Sequence, residues 1–323
     1  RSSPRACSRR GCLVASVLRA DAADFDGAVF DGASCAFGVF DGVHRGHQYL
    51  LRCTQETARR SGGRAIALTF DIDPDELFHP ERLKKLLSNE DRLAALAASG
   101  VDTVVVLPFT RAFAASSPQE FLARTFGGHA PAFLHVGSNF RFGARALGRV
   151  EDLRAWGAAA GTEVRAHDLK SEDGAPISAT RIRLLLAKGD LDEANKLLGR
   201  PYQLRGTVLR GRGEGGAMGF HTANLAPSFA YRVLGEGVYA SYADIAGVRY
   251  RAAVSVGVSP VFAGETDASC EVHVLDFSGD LYGSSIVVSF VKYLRPMIKF
   301  DTVDDLIATV NDNIRWTREN LPL

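Results

Sequence analysis

SCAFGVFDGVHRGH, residues 34–47, changes character halfway along. Ser34 to Phe40 is a short β-rich run, Gly38 and Gly42 free the backbone for a turn, and from His44 the sequence opens a helix. A strand handing over to a helix in this way is the first step of a parallel sheet with crossover helices, and in open sheets of that kind ligands bind at such exits. Two imidazoles there, His44 and His47, can hydrogen-bond a polyphosphate while exposed N–H groups and the helix dipole hold its charge. A lone histidine is usually structural, but the H-x-G-H spacing in a strand-turn-helix context favours phosphate handling.

Working outward, further strands are expected at RAIALTF (64–70), TVVVLPF (103–109), AFLHVG (132–137) and EVRAHD (163–168). Glu81–Ser99 has helical spacing, and Ser117-Pro118-Gln119-Glu120 combines an N-cap, a first-turn proline and the acid of a capping box. Next, Ile177-Ser178-Ala179-Thr180-Arg181-Ile182-Arg183 opens a helix that Gly189 ends, and Asp190 with Glu193 caps a second that stops at Gly199 before Pro201. Beyond Pro201 the texture becomes β-runs divided by glycine-rich turns: 203–210, 237–247, 249–258, 270–277 and 286–294. That series predicts an antiparallel barrel. A last amphipathic helix follows Thr302, with Val303, Leu306, Ile307, Val310 and Ile314 on the face expected to pack against it. The expected divisions are 1–22 as a tail outside the fold, 23–188 as the first domain, 189–200 as a linker helix and 201–323 as the second domain.

The 323 residues, 46% hydrophobic, suffice for two domains with separate cores. Lys plus Arg number 38 against 37 Asp plus Glu, and a net charge of +1 recommends neither nucleic acid nor membrane as partner. The five cysteines (Cys7, Cys12, Cys35, Cys53, Cys270) show no metal-type pairing and read as reduced thiols of a cytoplasmic protein. No apolar run reaches the length of a membrane-spanning helix. The first twenty residues, rich in Arg and Ser and without an acidic residue before Asp21, have the superficial look of a transit peptide; the plainer reading is a start outside the fold. Oligomeric state stays open, a homo-oligomer included.

Other segments carry weaker signals. Ser178-Ala179-Thr180-Arg181 is a helix start with hydroxyls and a cation, readable as a phosphate site or as an ordinary cap. Gly137-Ser138-Asn139-Phe140-Arg141-Phe142-Gly143 is a turn or a ligand loop with equal ease. The glycine-dense stretch from Gly206 to Gly219 lacks the G-K-[ST] of a Walker A loop and by itself reads as a plain hairpin.

Together, G-V-F-D-G-V-H-R-G-H, V-G-S-N-F-R-F-G and I-S-A-T-R-I-R, in that order, resemble the adenylyltransferase module of the bacterial bifunctional riboflavin kinase/FAD synthetase family. The resemblance implies a Rossmann-like nucleotidyltransferase domain joining FMN to AMP, with pyrophosphate released. By it, His44 and His47 engage the ATP phosphates, Gly38, Phe40 and Asp41 help form the nucleotide pocket, and Asn139, Ser178, Thr180 and Arg181 line the rest. The FMN phosphate is already an anionic nucleophile, so charge neutralisation and alignment matter more than a general base.

In the β-rich half, Phe220-His221-Thr222-Ala223-Asn224-Leu225 resembles the P-T-A-N signature of riboflavin kinases, and Glu271-Val272-His273-Val274-Leu275-Asp276-Phe277 resembles the segment holding their catalytic glutamate. The implied domain is an antiparallel β-barrel kinase with a terminal helix. Its ATP residues include Gly206, Gly211, Thr222 and Asn224, with Thr222 and Asn224 as oxygen ligands for Mg²⁺ and Arg295 of Leu294-Arg295-Pro296 on the flavin. Phosphorylating riboflavin requires proton removal from a hydroxyl, for which Glu271 is the base. Strand alternation places Glu271 opposite Cys270, Val272 and Val274. The expected substrates are riboflavin, FMN and ATP, with FAD as the product.

The chain departs from the family pattern at Thr69-Phe70-Asp71-Ile72-Asp73-Pro74, where Pro-His-Pro is usual, and at Ala179, His221, Gly216 and Ser259-Pro260-Val261-Phe262. These changes motivate an alternative, FAD synthetase alone with a kinase domain that only binds flavin. Two further readings are transfer to another phosphorylated metabolite and a non-enzymatic nucleotide sensor. The C-terminal signature opposes the first, and the retained phosphate-handling residues oppose the second.

Overall fold

Runs of β-branched and small apolar residues form a six-stranded parallel sheet in the first half of the chain. The structure, a computed structural model, describes residues 15–80, 84–210, 222–227, 233–257 and 269–323. Contacts divide the chain into two units, residues 1–81 with 89–170, and residues 82–88 with 171–323.

In the first unit the strands are β1 (Ser16–Arg19), β2 (Ser34–Phe37), β3 (Ala65–Phe70), β4 (Thr103–Leu107), β5 (Phe133–Gly137) and β6 (Glu163–His167), in the order β1-β4-β3-β2-β5-β6. The helices are α1 (Arg45–Ser61), α2 (Pro74–Phe78), α3 (Asn89–Ala97), α4 (Arg111–Ala114), α5 (Pro118–Phe126) and α6 (Val150–Ala160). All five strand pairings are parallel. Successive strands step one way from β2 to β3 to β4 and the other way through β5 and β6, so β2 borders the topological switch point. One face of the sheet buries Cys35, Phe37, Leu68, Val105 and Leu134 against Phe113, Phe121 and Phe126. Each such fully buried side chain contributes about 1.5–3 kcal/mol. Local chemistry sets the helix ends: Ser117 and Glu120 form the expected capping box of α5, and Gly127 ends it in the left-handed conformation.

Two expectations need correction here. Ser16–Arg19, assigned to a tail outside the fold, pairs with Thr103–Val106 as an edge strand, because Val17 and Leu18 can extend a sheet whose β4 edge would otherwise stay open. The helix expected over Glu81–Ser99 forms only at Asn89–Ala97; residues 84–88 are non-helical, and Leu86 joins the core of the second unit, a tertiary demand that overrides helical spacing.

In the second unit a two-stranded hairpin, β7 (Ser171–Glu172) and β8 (Ala175–Pro176), precedes α7 (Ala179–Ala187) and α8 (Leu191–Leu198). Ser178 and Asp190 cap these helices through their side chains. Six antiparallel strands follow: β9 (Tyr202–Leu209), β10 (Ala223–Pro227), β11 (Gly237–Ile245), β12 (Val248–Gly257), β13 (Ser269–Val274) and β14 (Ser285–Arg295), closed in the order β10-β13-β12-β11-β14-β9. Leu204, Val208, Ala223, Leu225, Val254, Val272, Val288 and Phe290 fill its core. Ile182, Leu186, Leu191, Ala194, Leu197 and Leu198 join the same core, so α7 and α8 pack with the barrel. α9 (Val303–Asn320) starts at the Thr302 N-cap and packs on β11 and β12. Of the face expected to pack, Ile314 is buried, whereas Val303 is exposed in the first turn.

Candidate active sites

The exit of β2 is a strained turn. Phe40 (φ 59°), Gly42 (φ 75°) and Val43 (φ 40°) all lie in the left-handed region, which costs a non-glycine residue on the order of 1–3 kcal/mol. The strain folds the chain so that Asp41, Val43 and His44 are buried and His44 becomes the N-cap of α1. The Phe40 ring folds back against Gly38, where a Cβ would lie in ordinary contact with it at 3.4 Å.

Phe40 meets His47 edge-on at 5.3 Å, and the His44 and His47 rings stack with centroids 3.7 Å apart. His44 Nδ1 accepts from the His47 backbone N–H at 3.4 Å. Burial, and then His44, hold the His47 imidazole well below its ordinary pKa, so it is neutral in the ligand-free protein. His47 Nδ1 is buried and has no hydrogen-bond partner among the described residues. Two imidazoles and the N-terminus of a 17-residue helix thus converge at the switch point, an arrangement suited to phosphates.

Across the switch point, Asn139 is exposed just beyond β5 in a turn closed by Phe140 N–H donating to Gly137 O at 2.9 Å. Beside it, His135 Nδ1 and His167 Nε2 lie 2.9 Å apart and share one proton, and the two rings stack. Burial, then His167, lower the His135 pKa to about 4; burial, then Arg165, lower that of His167. Neither histidine was singled out in the sequence.

The departure at residues 69–74 has a local explanation. Asp71 Oδ1 accepts from Phe109 N–H at 2.8 Å, which ties the exit of β3 to that of β4. Asp73 caps α2, and the Glu76 carboxylate accepts from Asp73 N–H at 2.8 Å.

Sequence reasoning passed over Arg92. It is 1% exposed, and its guanidinium donates to Val39 O at 3.0 Å, Thr69 Oγ1 at 2.7 Å, Phe70 O at 2.8 Å, Asp71 O at 3.2 Å and Asn89 Oδ1 at 3.2 Å. An arginine inside the helical stretch NEDRLAAL was the only signal.

Ser178, Thr180 and Arg181 fall in the second unit. Ser178 Oγ accepts from Arg181 N–H at 3.2 Å, and Thr180 is exposed, its Oγ1 accepting from Arg183 at 3.3 Å. The Arg181 guanidinium donates to Glu172 O and Ala175 O, both at 2.9 Å, and to Glu193 at 3.2 Å, binding the β7–β8 hairpin to the helices.

On the barrel, Asn224 pairs with Glu271, Glu271 with Ser255, Ser255 with Val238, and Val238 with Arg295. Register partners share a face, so residues from five strands form one transverse row with steps of about 4.8 Å. Ala223, Leu225, Cys270 and Val272 point into the core, leaving Asn224 and Glu271 on the outer wall with Thr222, two residues before Asn224, at the same end of β10. Glu271 and Asn224 are half-buried. Arg295 donates to Pro296 O at 3.1 Å and lies over the Phe300 ring at 5.7 Å. Burial depresses its pKa, and its Nε has no hydrogen-bond partner among the described residues.

Gly206 faces inward instead, opposite Pro227 and Ile286; a Cβ there would come within 2.2 Å of Ala226 O, so it serves close strand approach. Gly211, Gly216, His221 and Val261 lie outside the described residues.

A family model described as FAD synthetase matches residues 28–181, and one described as Riboflavin kinase matches residues 198–321. A curated relative from Pseudomonas fluorescens, named bifunctional riboflavin kinase/FMN adenylyltransferase, is 35% identical over 89% of this chain and 92% of its own length. Relatives of the same name from Listeria monocytogenes and Escherichia coli K12 are 33% and 35% identical, covering 88% and 89% of this chain. A solved structure named as a macrolide-efflux protein from Streptococcus pneumoniae aligns with a TM-score of 0.80 and 32% identity, covering 90% of this chain and 95% of its own. Among the described residues, no helix is long and apolar enough to cross a membrane.

Proposed function

The chain belongs to the bifunctional riboflavin kinase/FMN adenylyltransferase family: it phosphorylates riboflavin to FMN and adenylylates FMN to FAD, and we propose that these reactions run at the two separate residue sets described above. At the exit of β2 the stacked His44 and His47 rings and the start of α1 receive the ATP phosphates. A phosphate oxygen of FMN attacks the α-phosphorus of ATP, the new P–O bond replaces the one to pyrophosphate, and pyrophosphate leaves. The nucleophile is already ionised, so the protein's part is to neutralise and align charge. Phe40 and the strained turn hold the two rings in place, and Asn139 faces the same crevice from β5. Ser178, Thr180 and Arg181 keep the role of nucleotide residues given by the family resemblance.

The barrel row carries the kinase reaction. Glu271 accepts the proton of the riboflavin hydroxyl as its oxygen attacks the γ-phosphorus, and ADP leaves. Arg295, on the same row, is the flavin contact. Thr222 and Asn224 offer hard oxygens on one end of one strand, a donor set that would suit Mg²⁺ bound chiefly through substrate phosphates, where the ion would neutralise developing charge.

The observation that carries this reading is the register of β10 against β13, which brings Asn224 directly opposite Glu271. The test is an incubation of the protein with riboflavin, ATP and Mg²⁺, with riboflavin, FMN and FAD separated over time, beside one started from FMN. Glu271→Gln is expected to stop FMN formation and leave FAD formation from FMN intact; His47→Ala is expected to do the reverse. Kinase turnover unaffected by Glu271→Gln would remove the assigned base.

A further inference from the structure

Arg92, a buried ionisable group of the first unit, has five acceptors and no part in the reaction as described. It belongs to α3, yet none of its acceptors except Asn89 comes from that helix. Val39 O lies one residue before Phe40, where the strained turn begins. Thr69 Oγ1, Phe70 O and Asp71 O belong to the exit of β3, the strand beside β2. Thr69 Oγ1 also donates to Val39 O at 3.3 Å, so hydroxyl, guanidinium and two strand exits form one network. The planar fork of arginine suits acceptors that diverge in this way, which a single ammonium cannot reach together.

Electrostatics point the same way. Burial opposes the Arg92 charge, while the carboxylates of Asp73, Asp41, Glu76 and Asp71 support it. Asp41 belongs to the turn itself and is buried. A buried cation that ties the carbonyl just before the strained turn to the exit of the neighbouring strand β3 fixes the start of that turn, and through it the approach to α1.

We propose that Arg92 is a positioning residue of adenylyl transfer, holding the Phe40–His44 turn so that His44 and His47 meet the ATP phosphates in their reactive alignment. This rests on the assignment of adenylyl transfer to the first unit. Arg92 touches no substrate; its effect passes through Val39 O and the turn. A displacement of reacting groups by about 1 Å costs roughly 100-fold in rate, so the loss belongs in kcat more than in KM.

The test uses the full chain with Arg92→Met, Arg92→Lys, Thr69→Val and, as reference, His47→Ala. FAD formation from FMN and FMN formation from riboflavin are measured on each protein, with ¹³C/¹⁵N imidazole spectra of His44 and His47. Arg92→Met is expected to lower kcat for FAD formation roughly 100-fold, to change KM for ATP far less, to leave the kinase rate unchanged and to move the His44 and His47 signals. Arg92→Lys recovers part of the rate. A kcat for FAD formation near that of the parent protein, or an equal loss of both activities with unmoved histidine signals, overturns the role. If Arg92→Met does not fold, Thr69→Val carries the test, with a several-fold fall in kcat at constant KM expected and no change overturning it. Full FAD formation by His47→Ala would instead refute the placement of the reaction, separating that failure from a failure of Arg92.

Discussion

Lowering the pH from 7.5 to 5 is expected to destabilise the first unit through one imidazole pair. His135 is fully buried and shares a proton with His167, so protonating the accepting ring would set two N–H groups against each other. In the unfolded chain His135 titrates near 6.5, and in the folded protein at about 4. Below 6.5 the unfolded state therefore binds a proton that the folded state refuses. The stability supplied by the neutral ring is present above 6.5 and is lost as the pH falls toward about 4. At pH 5 the loss from His135 alone is about 2 kcal/mol, and His167, shifted in the same direction, adds to it. The assay is urea unfolding followed by Trp156 fluorescence in a Trp316→Phe background, since these are the two tryptophans of the chain. His135→Gln removes the titrating ring, so the parent should lose about 2 kcal/mol more than this variant between pH 7.5 and 5. Parallel pH profiles for the two proteins would refute the reasoning.

Three other outcomes are expected. ATP binding should be accompanied by proton uptake, because phosphate charge favours the imidazolium form of a His47 that burial keeps neutral; calorimetry in buffers of different ionisation enthalpy would read it, and His47→Ala should abolish it. Gly206→Ala should destabilise the barrel by about 1–3 kcal/mol or more, since its methyl would lie 2.2 Å from Ala226 O, and chemical denaturation measures this directly. Ser117→Ala should cost about 1 kcal/mol by removing the acceptor of Glu120 N–H in the α5 cap, seen as a lower urea midpoint.

Features that rest on short-range chemistry were legible in the sequence. The buried strands β2 to β5 are mostly apolar runs, and Ser117, Ser178, Asp190 and Thr302 announce helices whose caps form as written. What escaped depended on partners far along the chain. β1 is exposed at all four positions and shows no alternation, so only the open edge of β4 makes it a strand. β10 reads Ala-Asn-Leu-Ala-Pro, a composition of turns, and becomes a strand because β9 and β13 offer it ladders on both sides. His135 and His167 are brought together by the pairing of β5 with β6, which no local pattern foretells. The H-x-G-H histidines stand out by their spacing alone; Arg92 did not, because its acceptors lie 21 to 53 residues away apart from Asn89.

The alternation along β13 also protects the enzyme against misfolding. Cys270, Val272 and Val274 occupy the core while Glu271 and His273 face outward, so core and chemistry are written on the same strand in alternate letters. A slip of one residue in pairing would exchange the two alphabets, thrusting a carboxylate into the hydrocarbon interior and valines into the outer row that holds Asn224. Such a misaligned chain would pay the desolvation of Glu271 at once. With Glu271 as the proposed base, one strand carries both the proposed chemistry and the alternation that fixes its alignment.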